Sequence, residues 1–74
     1  MPPRTLDLLG LKCPLPALKT RKALKGLQPG ERLVVTCSDP MAAIDIPNLL
    51  RETGDYLLAA HREEARLVFE IEKR

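Results

Sequence analysis

Two prolines one residue apart, Pro14 and Pro16, decide where this chain can begin its first helix. Proline lacks a backbone N–H and clashes with the preceding turn, so a helix tolerates it only in the first turn, where that donor would be unpaired anyway. Cys13 then falls at the N-cap. From Ala17 to Leu27 the apolar Ala17, Leu24 and Leu27, with small Thr20, recur at helical spacing, while Lys19, Lys22 and Lys25 occupy other faces. Gly26 and the turn-forming Pro29-Gly30 stop the helix. The same logic returns at Ser38-Asp39-Pro40, where Asp39 is placed as an N-cap and Pro40 at the first helical position of a helix running to Thr53. Pro47 removes a donor from its middle and predicts a kink or a restart after Asp45.

Between these helices lie strand patterns. Thr5 to Leu9 puts Leu6 and Leu8 on one side, and Arg32 to Cys37 puts Leu33, Val35 and Cys37 on one face against Arg32, Val34 and Thr36. Tyr56 to Arg62 and Arg66 to Glu72 follow, joined by a short hairpin connection at residues 63–65. The order strand, helix, strand, helix, strand, strand predicts one α/β domain over residues 1–74, a single sheet with both helices on one face. Tyr56 and Phe69 are the only aromatics, so the core is aliphatic and base stacking has little support. The longest apolar run, Tyr56 to Ala60, is far short of the roughly 20 residues a membrane helix needs. Patterned sequence begins near residue 5 and leaves no room for a signal peptide, so a cytoplasmic location is expected. Two cysteines with one histidine, His61, are too few for a four-ligand metal centre. His61 reads as a surface or packing residue. Residues 1–30 carry a charge of +5 and residues 31–74 a charge of −3, which predicts a positive face on the first helix.

If the first two strands pair in parallel, their carboxyl ends, Cys13, Cys37 and both helix N-termini share one sheet edge, where open α/β sheets bind ligands. The helix dipole, Lys12 and the basic helix are then expected to favour a Cys13 thiolate, a sulfur nucleophile that the prolines hold rigidly at an exposed bend. The alternative, burial of Cys13 as a small hydrophobe, is opposed by its place before Pro14 at an exposed helix start rather than on an apolar face. Asp7 is expected to hydrogen-bond the turn from Gly10 to Cys13, and Asp39 and Asp45 read as local structural groups rather than catalytic acids. Lys12, Arg21 and Lys22 are candidates for partner docking or thiolate stabilisation, against the simpler reading of solvated helix residues. Cys37 alternates inward as a core thiol, with a resolving partner for Cys13 as the alternative.

Asp7-x-x-Gly10-x-x-Cys13-Pro14-x-Pro16, Gln28-Pro29-Gly30-Glu31, Ser38-Asp39-Pro40 and Asp45-Ile46-Pro47 together resemble the TusA family, also called SirA-like proteins, over residues 5–72. The resemblance implies a two-layer α/β sandwich with a four-stranded mixed sheet. It also implies that Cys13 takes a sulfane sulfur as a persulfide from a cysteine desulfurase or rhodanese-type donor. The sulfur would pass to a downstream carrier cysteine serving tRNA thiolation, molybdenum cofactor or sulfur oxidation. Persulfide exchange needs no cofactor. Cys37 departs from the family pattern, which has a small non-cysteine residue there.

Two other classes compete with a monomeric sulfur relay. A non-catalytic module could bind RNA or an acidic protein through Lys19, Arg21, Lys22 and Lys25, and such binding would be strongly salt dependent. The acidic second half argues against direct nucleic-acid contact. A thiol redox regulator would use both cysteines.

Overall fold

The computed structural model describes residues 3–74, so the first two residues of the expected domain lie outside it. Strand β1 (Arg4–Leu8) leads to helix α1 (Leu15–Lys25), strand β2 (Arg32–Cys37), helix α2 (Ala42–Thr53) and strands β3 (Tyr56–Glu63) and β4 (Arg66–Glu72). The strands form one mixed sheet in the order β1-β2-β4-β3. β1 runs parallel to β2, with Leu6 beside Val35 and Leu8 beside Cys37, and the other pairings are antiparallel.

Alternation along β2 and β4 places Leu33, Val35, Cys37, Leu67, Phe69 and Ile71 on one buried face. Both helices close that face, with Leu24 from the first, Leu27 just after it and Ala42, Ile46 and Leu50 from the second completing one aliphatic cluster. Each fully buried leucine, isoleucine or valine contributes about 1.5–3 kcal/mol by leaving water. The other sheet face stays open. This is the two-layer α/β sandwich anticipated from the sequence.

Both helix starts, and the behaviour of α2 at Pro47, differ from expectation for local reasons. The helix α1 starts at Leu15, with Pro14 rather than Cys13 at the N-cap and with no side-chain cap; Pro16 is buried at the second helical position. The Pro14 carbonyl accepts the Leu18 N–H at 3.1 Å and so opens the helix, which frees Cys13 from the helical ladder. The helix α2 starts at Ala42, two residues later than expected, because Asp39 turns the chain ahead of it. Pro47 does not break it. The donor it lacks would have bonded the carbonyl of Ala43, an exposed residue in the first turn where water can take that place. Gly54 closes α2 at a φ of 82° and donates its N–H to the Leu50 carbonyl at 2.8 Å.

The strand β3 is an edge. Its register shifts between Leu57 and Ala59, a bulge that leaves Leu58 unpaired and blunts the edge against further strand addition. A two-residue turn at Glu64 and Ala65 then leads into β4, with Glu64 at a φ of 54°.

Candidate functional site

Parallel pairing of β1 and β2 ends with Leu8 opposite Cys37, so the two following loops leave the sheet side by side. Two hydrogen bonds staple them together. The Gly10 N–H donates to Ser38 Oγ at 2.8 Å, and the Cys13 N–H donates to Asp39 Oδ2 at 2.6 Å. Gly10 takes a φ of 83°, which favours a residue without a Cβ at this bend. Asp39 also accepts the Met41 N–H on Oδ1 at 2.9 Å, so one carboxylate starts the approach to α2 and holds the backbone of the cysteine loop. Those two N–H groups, with the charge of Lys12 adding, hold the Asp39 carboxyl below the usual range despite some desolvation.

Asp7 does not serve as the sequence suggested. Its Oδ1 accepts the N–H of Leu9 at 3.0 Å, a local turn two residues on, and Ser38 and Asp39 take the donors of Gly10 and Cys13 instead. The expectation missed this because both acceptors come from the neighbouring strand's loop.

Cys13 is exposed at the end of an open groove of about 330 Å³ between α1 and α2. Ala17, Leu18 and Leu49 give the groove apolar walls, Asp45 faces in from α2, and Arg21 and Glu52 lie further along it. A larger depression of about 520 Å³ lies at the opposite end of the sheet, around Gly30, Arg32 and Glu70, and holds no thiol. Cys13 is joined to Pro14 by a cis peptide bond. Leu18 and Ile44 are more than half exposed, and Leu15 and Met41 nearly so, which adds apolar surface on the first turns of both helices.

The electrostatics reverse the expected activation of Cys13. Its pKa is raised, first because the Asp45 side chain hydrogen-bonds the thiol, then through partial desolvation and the negative charges of Asp45 and Asp39. Lys12 acts on Asp39. Arg21 forms an ion pair with Glu52 at 2.8 Å, and Lys22 lies in the last turn of α1, far from the cysteine. The expected stabilisation of a resting thiolate by Lys12, Arg21 and Lys22 is therefore corrected: carboxylates, not cations, dominate the thiol's surroundings. Sequence reasoning set Asp39 and Asp45 aside as local structural groups because nothing in linear spacing shows that they converge on Cys13. The one available signal was the parallel pairing, which already placed Asp39, two residues past the end of β2, beside the cysteine loop.

Cys37 is fully enclosed at the end of β2, and burial, with a contribution from Asp39, pushes its thiol up to about 11. His61 is exposed on β3 with Glu63 3.1 Å away. Among the described residues, no three histidine, cysteine or acidic side chains are grouped to hold a metal ion, and no helix is long and apolar enough to cross a membrane.

Cys13 thus stands exposed at a pinned bend beside a shallow groove rather than in an enclosed pocket. A profile of the family described as Sulfurtransferase TusA matches residues 4–73. Two Neisseria meningitidis proteins, from serogroups A and B and each provisionally named a sulfur carrier protein, are 45% identical to this chain over 60 residues, 81% of either length. The chain belongs to the TusA family.

Proposed function

We propose that Cys13 is the sulfur-carrying atom of this protein, accepting a sulfane sulfur from a donor protein's persulfide and passing it to a cysteine of an acceptor protein. One observation carries the reading: Cys13 stands exposed at a bend whose backbone Asp39 holds at 2.6 Å, at the mouth of a groove that another protein surface can enter. Family membership and the sulfur-carrier names of the relatives support it.

In loading, Sγ of Cys13 attacks the outer sulfur of the donor persulfide. The donor S–S bond breaks, its electron pair leaves on the donor cysteine, and Cys13 becomes a persulfide. Delivery repeats the exchange with the acceptor's thiolate attacking the outer sulfur. Sulfur moves between thiols with no net oxidation, so the protein's work is to present one atom and be recognised twice. Cysteine desulfurases and rhodanese-type enzymes are the donor classes that make such persulfides. Thiolated tRNA, molybdenum cofactor and sulfur-oxidation intermediates are the end products to which the acceptor belongs. The exposed Lys19, Lys22 and Lys25 fit docking of an acidic protein face beside the groove.

Incubation with a cysteine desulfurase and cysteine should add the mass of one sulfur atom to the wild-type chain and none to Cys13→Ser. Equal uptake by the variant would overturn the proposal. A binding module acting through its lysines would show no uptake in either form, and its salt-dependent binding would survive Cys13→Ser.

A further inference from the structure

Asp45 has no structural duty that explains its position. It stands in the first turn of α2, half buried. Among the described residues no basic side chain pairs with it, and it accepts no backbone N–H, Asp39 taking that of Met41 just ahead of the helix. Its side chain instead lines the same groove as the Cys13 thiol, close enough to raise that thiol's pKa. Other charged groups around the thiol are Asp39 from the loop after β2, Lys12 from the cysteine's own loop, and the Arg21–Glu52 pair farther along the helices. Arg21 is engaged by Glu52 and Lys12 acts on Asp39, so the thiol faces an uncompensated anion.

We propose that the Asp45 carboxylate accepts the Cys13 S–H and keeps the empty carrier as a quiet, neutral thiol until a donor persulfide enters the groove. This rests on the reading of Cys13 as the carrier cysteine and adds the residue that governs it. The thiolate is the attacking species, so a thiol held neutral is slow toward bystander electrophiles and oxidants. During loading, the S–H proton passes to Asp45 as Sγ bonds to the outer sulfur of the donor. The donor S–S bond breaks with its electron pair on the donor cysteine, and that sulfur takes the proton from Asp45. Charge and electrons balance without any oxidant. After loading, the outer sulfur sits about 2 Å beyond Sγ and ionises more readily than a thiol. Repulsion from Asp45 and Asp39 turns it away from α2 and out toward an acceptor. The same carboxylate thus silences the empty state and exposes the loaded one.

The test is the pH dependence of iodoacetamide alkylation of Cys13, read on wild type, Asp45→Asn and Asp45→Glu. Removing the charge in Asp45→Asn should move the midpoint to lower pH and speed alkylation at neutral pH severalfold, whereas Asp45→Glu should stay near wild type. Superimposed profiles for wild type and Asp45→Asn would overturn the assignment, as would an equal shift in Asp45→Glu. Raman spectroscopy of the S–H stretch, read on Cys37→Ala so that only one thiol reports, gives a check that leaves Asp45 untouched. The proposal requires a strongly hydrogen-bonded thiol, and a free S–H frequency contradicts it. Sulfur uptake is scored separately. An Asp45-dependent profile without sulfur uptake would overturn the carrier reading alone, and uptake with superimposed profiles would overturn the Asp45 assignment alone.

Discussion

Cys13 and Cys37 belong to neighbouring loop and strand ends of one sheet edge, and their thiols are held neutral for opposite reasons. Cys37 closes β2 inside the aliphatic cluster, where desolvation penalises the anion. Cys13 stands in the open, where a carboxylate from α2 is the main agent. Burial cannot be relieved without opening the core, whereas a facing carboxylate can be countered by a partner or by one substitution. The difference separates an inert sulfur from a switchable one.

Chemical accessibility separates them most. In the folded protein, a small alkylating reagent should modify Cys13 faster than Cys37 by about a hundredfold or more, since Cys37 reacts only through opening of the core. Rates from peptide-resolved mass spectrometry check this, and comparable rates would break the contrast. A hydroxyl should be tolerated at one site and not at the other. Cys37→Ser places an unpartnered polar group in the core and should cost about 1–3 kcal/mol in urea unfolding, while Cys13→Ser should unfold close to wild type. The smallest effect is alkaline. The unfolded Cys37 thiol ionises from its ordinary value of 9.0 and the folded one only at about 11. The unfolded state therefore binds fewer protons in that window, and stability falls as pH rises through it. Wild type should lose on the order of 1 kcal/mol there relative to Cys37→Ala, read as the difference between the two unfolding curves.

Patterns carried by single elements were legible in the sequence. The alternation of Leu33, Val35 and Cys37 announced the buried face of β2, and Pro14 and Pro16 marked the start of α1 and so the exposure of the cysteine before it. What could not be read depends on contacts between elements. Asp39 reaches the Cys13 backbone across 26 positions, and Asp45 meets the thiol only because α2 packs beside α1. Linear neighbours such as Lys12 suggested an activated thiolate, whereas the spatial neighbours are acidic. The apolar run from Tyr56 to Ala60 has no alternation to reveal the bulge at Leu58, and the tolerance of α2 for Pro47 depends on an exposed Ala43 carbonyl that composition does not show.

Locating the transferred sulfur tests the account most directly. Wild-type protein is loaded by a desulfurase, trapped by rapid alkylation and digested, and the extra sulfur is assigned to one peptide. It should sit on the peptide bearing Cys13, with Cys37 unmodified. Sulfur on Cys37, or divided evenly between the two, would contradict the claim that the exposed cysteine is the carrier.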